Sequence, residues 1–147
     1  MRRARGFTLI EVVVVLFVLA LATAVVVPGI GRGTEALRAR AEVSGFSAFL
    51  RHAREQAITR RRIQEVRIDP DAHLIVLVEA GSDTVRSSRR IGQAVRIDAD
   101  ATALTVRFLP QGLSSGGKYR METPGGRVYE ITIDALTGRV VNRRLDT

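Results

Sequence analysis

The stretch Gly6-Phe7-Thr8-Leu9-Ile10-Glu11-Val12-Val13-Val14-Val15-Leu16 places one acid, Glu11, inside a run otherwise suited to lipid. Ahead of it stands a short basic stub, Met1 to Gly6, whose only charges are Arg2, Arg3 and Arg5. Behind it the chain stays apolar as far as Val27. The segment Phe7 to Val27 is 21 residues long. At about 1.5 Å per helical residue it would span roughly 31 Å, the thickness of a bilayer's hydrocarbon core. Arginines precede the span and none lies within it. By the positive-inside rule this predicts a cytoplasmic N-terminus and an exported body after Pro28.

Two plainer readings compete. A cleavable secretory signal also has a basic start and an apolar core, and Ala20-Leu21-Ala22 or Ala22-Thr23-Ala24 would suit signal peptidase. The run exceeds the roughly 7 to 15 residues of an ordinary signal core, however, and a signal gains nothing from Glu11. A plain membrane anchor is the second. An acid near a helix start interacts favourably with the helix dipole, so Glu11 costs less there than the roughly 2.5 to 3.5 kcal/mol of a charge at mid-membrane.

A short basic leader ending in glycine, then Phe7-Thr8-Leu9-Ile10-Glu11 and an apolar run, resembles the prepilin signal of the type IV pilin and type II secretion pseudopilin superfamily. The resemblance implies that a prepilin peptidase cuts between Gly6 and Phe7 and methylates the new amino group of Phe7. The chain would then be substrate, not enzyme. Glu11 could pair with the amine of Phe7 on a neighbouring helix, where two charges about 4 Å apart are worth on the order of 4 kcal/mol at an effective dielectric of 20, before desolvation. The i to i+4 spacing equally allows a pair within one chain. An intersubunit assembly role for Glu11 rests on the resemblance.

The chain has 147 residues and no cysteine, so neither a disulfide nor a thiolate metal site is available to the body. Without the anchor about 110 residues remain, enough for one small domain with a single core. The 23 Lys plus Arg against 15 Asp plus Glu give a formal charge of +8, which falls to about +5 without Arg2, Arg3 and Arg5.

Pro28, Gly29, Gly31 and Gly33 each break or loosen a helix, which predicts a hinge over 28–33 centred on Pro28 and Gly29. A second helix is expected over 34–62, with Phe46, Phe49, Leu50, Ala53 and Ala57 on one stripe. The period then changes to that of strands. Strands are expected at Glu65 to Asp69, Leu74 to Glu79, Val85 to Ile91, Ala94 to Asp98, Ala103 to Leu109, Lys118 to Glu122, Arg127 to Ile133 and Gly138 to Arg143. The expected fold is α+β and pilin-like: a long N-terminal helix, transmembrane in its first half, packed on an antiparallel sheet region at 64–143. The domain organisation is a leader at 1–6, a span at 7–27, the hinge at 28–33 and a periplasmic body at 34–147.

Phe108-Leu109-Pro110-Gln111-Gly112-Leu113-Ser114-Ser115-Gly116-Gly117 and Ile133-Asp134-Ala135-Leu136-Thr137-Gly138-Arg139-Val140 resemble two segments of the GspH/FimT subfamily. Gly112-Leu113-Ser114-Ser115-Gly116 also fits the G-x-S-x-G pattern of a hydrolase elbow. That elbow needs a following helix and a later histidine, and no histidine follows His73. His52 and His73 have no partner at ligand spacing, and Asp69 and Asp71 fit a turn better than a calcium loop. No catalytic residue, metal site or cofactor is expected.

The resemblance implies a minor pseudopilin of a type II secretion system. It would be a single-pass inner-membrane protein with a periplasmic body, assembled at the tip of the pseudopilus. The partners implied are other pseudopilins, the prepilin peptidase, the inner-membrane assembly platform and exported protein substrates. The competing reading is a FimT-type minor pilin that binds nucleic acid during uptake through a Gly-Arg-any-Arg element. Here Gly138-Arg139-Val140 is followed by Val141 where that element has arginine, and Arg143 and Arg144 lie nearby. Such contacts would fall mostly on phosphate and weaken with salt.

Overall fold

A computed structural model describes residues 8–82 and 84–145, with side chains omitted from the description at 25–35. One helix, α1 (Leu9–Arg60), is followed by eight strands: β1 (Gln64–Asp69), β2 (Leu74–Glu79), β3 (Val85–Arg90), β4 (Arg96–Ala99), β5 (Thr105–Phe108), β6 (Gly117–Thr123), β7 (Arg127–Ile133) and β8 (Val140–Leu145). The chain forms two compact units that meet between Leu37 and Arg38.

The separate helix expected over 34–62 is instead the C-terminal part of α1, whose backbone is helical through 28–33. Proline removes one i to i−4 bond, and the long helical runs on either side can propagate across that single loss. The helix also ends two residues earlier than expected. Arg61 takes a left-handed backbone at φ 53°, its N–H bonding the Ile58 carbonyl and that of Arg62 the Ala57 carbonyl, both at 3.3 Å. This pair of bonds is a Schellman cap made without glycine.

In the second unit, the stripe read from sequence is buried as expected: Phe46, Leu50, Ala53 and Ala57 have no exposed surface. They face a core drawn from all but one strand, with Val66, Ile75, Leu77, Ile97, Val106, Phe108, Tyr119, Met121, Ile131 and Val140 in one cluster. Phe46 meets Tyr119 edge to face, ring centroids 5.2 Å apart.

The strands do not make one sheet. They divide into two antiparallel four-stranded sheets, ordered β3-β2-β1-β5 and β4-β6-β7-β8. Strand β5 returns to pair with β1, Val66 opposite Val106, whereas β4, which precedes it in the chain, pairs with β6 in the second sheet. Three starts also shift. A turn closed by Val95 N–H on the Gly92 carbonyl delays β4 to Arg96, a 3-10 turn at Ala101–Ala103 delays β5 to Thr105, and a turn closed by Gly138 N–H on the Asp134 carbonyl delays β8 from Gly138 to Val140.

The segment after β5 stitches the two sheets together. Ser115 N–H donates to the Arg107 carbonyl of the first sheet, and Ser114 N–H to the Ala135 carbonyl beyond β7 of the second, each at 2.9 Å. The buried Tyr119 hydroxyl on β6 adds a third link by donating to the Ala103 carbonyl at 2.6 Å. Burial raises the pKa of that hydroxyl, so it stays a donor.

Candidate functional site

Gly6 and Phe7 lie outside the described residues. The first described residue, Thr8, caps α1: Glu11 N–H donates to its Oγ1 at 3.4 Å and to its carbonyl at 3.1 Å. Thr8-Leu9-Ile10-Glu11 therefore has the T-x-x-E spacing of a capping box. Glu11 sits where an acid complements the helix dipole, and like every described residue of 8–24 it is exposed. The Thr23 hydroxyl donates back to the Leu19 and Ala20 carbonyls at 3.0 and 2.9 Å, which satisfies it without outside partners.

Among the described residues no helix is long and apolar enough to cross a membrane. The residues of the run with described side chains, 8–24, number 17, about 25 Å of helix. The full apolar sequence reaches 21. Pro28 and Gly29 lie within α1, in the stretch whose side chains are not described.

In the second unit the two segments singled out in the sequence are brought together against α1 by Arg54. Its Nε donates to the Gly112 carbonyl at 3.3 Å and to the Thr137 carbonyl at 3.0 Å. Gly138, at φ 62°, stands so close that a Cβ there would overlap the Gly112 carbonyl oxygen. Asp134 shapes the same turn through Oδ1, which accepts from Leu136 N–H, Thr137 N–H and Thr137 Oγ1 at 3.1, 2.8 and 2.8 Å. The Thr137 hydroxyl and the backbone amides hold its carboxyl below the usual value. Beside this junction a groove of about 670 Å³ runs along α1 from Arg51 to Thr59, bordered by Arg139 and Val140.

The apparent nucleophile is occupied otherwise. Ser114 Oγ donates to the Asp134 carbonyl and accepts from Gly116 N–H, both at 3.0 Å, and leads into strand β6. His52 is exposed on α1, and His73 closes the β1–β2 turn at φ 51°. Asp69 Oδ1 accepts from Ala72 N–H at 2.8 Å, the turn-forming role read from sequence. Among the described residues no group of three His, Cys, Asp or Glu could hold a metal ion.

Arg139, Arg143 and Arg144 are exposed but do not form one patch. Arg139 precedes β8, and Arg143 lies about 13 Å further along the strand at roughly 3.3 Å per residue. Arg143 and Arg144 alternate across β8, so their side chains leave opposite faces. The face of Arg144 is that of Asn142, whose Nδ2 reaches Ser47 Oγ on α1 at 3.5 Å.

A family model described as type II transport protein GspH matches residues 42–137. The chain belongs to the GspH family. A second model, the prokaryotic N-terminal methylation motif, matches residues 1–27 of this GspH-family chain. The type II secretion system protein H of Xanthomonas campestris is 25% identical over 148 residues, covering 99% of this chain and 87% of that one. The fold matches the minor pseudopilin EpsH of the Vibrio cholerae type 2 secretion system at TM-score 0.57, 17% identity and coverage of 74% and 96%. It matches the Pseudomonas aeruginosa type IV minor pilin FimU at TM-score 0.58, 17% identity and coverage of 74% and 98%. The pilin-like α+β fold is thereby established.

Sequence reading missed Arg54. It lies off the apolar stripe among five other arginines and two acids between 38 and 61, and nothing in its spacing separates it from solvated neighbours. Sequence reading also passed over the Thr8 cap, although threonine three residues before glutamate is the capping-box pattern.

Proposed function

We propose that this GspH-family chain is a minor pseudopilin of a type II secretion system and works by assembly, not by chemistry. The observation that carries the proposal is the order of two matched regions in one chain: a methylation motif over 1–27, then a GspH head over 42–137. The precursor crosses the inner membrane once through 7–27, N-terminus inside and head in the periplasm. Prepilin peptidase cuts after Gly6 and methylates Phe7. Pro28 and Gly29 let the anchor bend relative to the head during extraction from the membrane. Glu11 and the amine of Phe7 on a neighbouring subunit fix register. The head joins other pseudopilins at the fibre tip, in contact with the assembly platform and exported proteins.

The competing reading, a nucleic-acid-binding minor pilin, draws on the likeness to FimU. The opposite directions of Arg143 and Arg144 argue against a single phosphate-binding patch. Deleting the gene and assaying both exported enzymes and DNA uptake separates the two. The proposal predicts loss of secretion with uptake intact, and loss of uptake alone would overturn it.

A further inference from the structure

At the C-terminal end of α1 a cleft of about 280 Å³ opens between the helix and the first sheet. His52, Gln56 and Arg60, one helical face at i, i+4 and i+8, form one wall, and Arg86 and Ser87 of β3 form the other. Gln64, the first residue of β1, also lines it. Gln64 is 1% exposed, and neither Nε2 nor Oε1 of its amide has a hydrogen-bond partner. Buried polar groups are nearly always paired, and each unpaired one costs about 1 to 3 kcal/mol. An amide lacking both a donor and an acceptor, beside a space far larger than one water, points to a missing partner.

The surrounding charge describes that partner. Arg60 donates through Nε to Gln56 Oε1 at 2.6 Å, and this bond holds its guanidinium at the cleft. Arg86 and the neighbouring Arg62 share the single carboxylate of Glu79, Arg86 Nη2 lying 3.0 Å from Oε2. The described residues that line the cleft thus include two guanidiniums, Arg60 and Arg86, and no acid. A carboxylate suits the arginines and Gln64 Nε2 as acceptor, whereas Gln64 Oε1 calls for an adjacent N–H donor. A phosphate diester supplies no such donor. A peptide supplies both.

We propose that this cleft binds a carboxylate-bearing peptide group, either an acidic side chain with its backbone N–H or a chain's C-terminus. The site is on the head and does not depend on processing at Gly6 or on Glu11.

The test uses the full chain, isotope-labelled in detergent micelles, with NMR signals of the Gln64 side-chain amide and the Ser87 backbone. Acetyl-Ala-Glu-amide and acetyl-Ala-Ala with a free C-terminus are the two probes, which distinguish the sources of the carboxylate. Acetyl-Ala-Gln-amide and inorganic phosphate are the comparisons. Saturable shifts are expected with at least one probe below roughly 10 mM, weakened about tenfold or more in Arg60→Gln and, followed at Ser87, in Gln64→Leu. No saturation with either probe would mean that solvent alone fills the cleft and would overturn the proposal. So would an equal response to acetyl-Ala-Gln-amide, tighter binding of phosphate, or undiminished affinity in both variants.

Discussion

Gly138 packs directly on the carbonyl oxygen of Gly112, leaving no room for a side chain, while Arg54 Nε bonds the Gly112 and Thr137 carbonyls beside it. The loop that stitches the two sheets and the β7–β8 turn are thus held to α1 at one point. Gly138→Ala meets two penalties at once, a left-handed backbone at φ 62° and an overlap with backbone that cannot swing aside. It should lower stability by roughly 2 to 4 kcal/mol, read as a drop in melting temperature of the full chain in micelles. Gly125→Ala is the control. Its φ is 91°, yet its Cβ would meet nothing, so only the backbone penalty applies and the loss should be smaller.

The cap of α1 predicts a gain. Arg61 holds the left-handed position where glycine carries no steric cost. Arg61→Gly should stabilise the head by about 0.5 to 1 kcal/mol, seen as a higher midpoint in denaturant unfolding with unchanged slope.

Acid should weaken the head through two carboxylates. The Arg67 guanidinium, hydrogen-bonded to Glu65, holds that carboxyl below its ordinary 4.5; burial opposes this and Arg107 adds to it. Arg62, then Arg86, act likewise on Glu79, again from an ordinary value of 4.5. A carboxyl whose folded pKa is depressed contributes stability that is fully present above its unfolded value and is lost as pH falls through the folded one. The melting temperature should therefore hold above pH 4.5 and decline below it. Glu65→Gln should lower the melting temperature near neutrality and flatten the decline, and equal acid sensitivity in variant and parent would contradict the assignment.

What the sequence made legible was local. The strands Leu74–Glu79 and Arg127–Ile133 have the bounds read from the chain, and the stripe from Phe46 to Ala57 is buried, because period-2 and period-3.6 patterns are written in neighbouring residues. The division into two sheets was not legible. It depends on β5 pairing back to β1 across more than thirty residues, a choice no short window records. The end of α1 was missed for a different reason: Arg61 carries a conformation that normally announces itself as glycine. The arginine that joins the two marked loops looked like any surface cation.

Glu11 tests the assembly role apart from folding. It belongs to the first compact unit, and its nearest described bonds are to Thr8. Glu11→Ala should leave the unfolding of the head unchanged while reducing crosslinking to other pseudopilins severalfold. Unchanged crosslinking would show that the carboxylate serves the helix start alone.

The central claim, that this chain is a processed pseudopilin, is tested most directly by the mass and N-terminal sequence of the protein made in cells with and without a prepilin peptidase. A chain beginning at methylated Phe7 only when the peptidase is present is the predicted result. A start near Thr23 or Val25, or an intact Met1 in both strains, would contradict it.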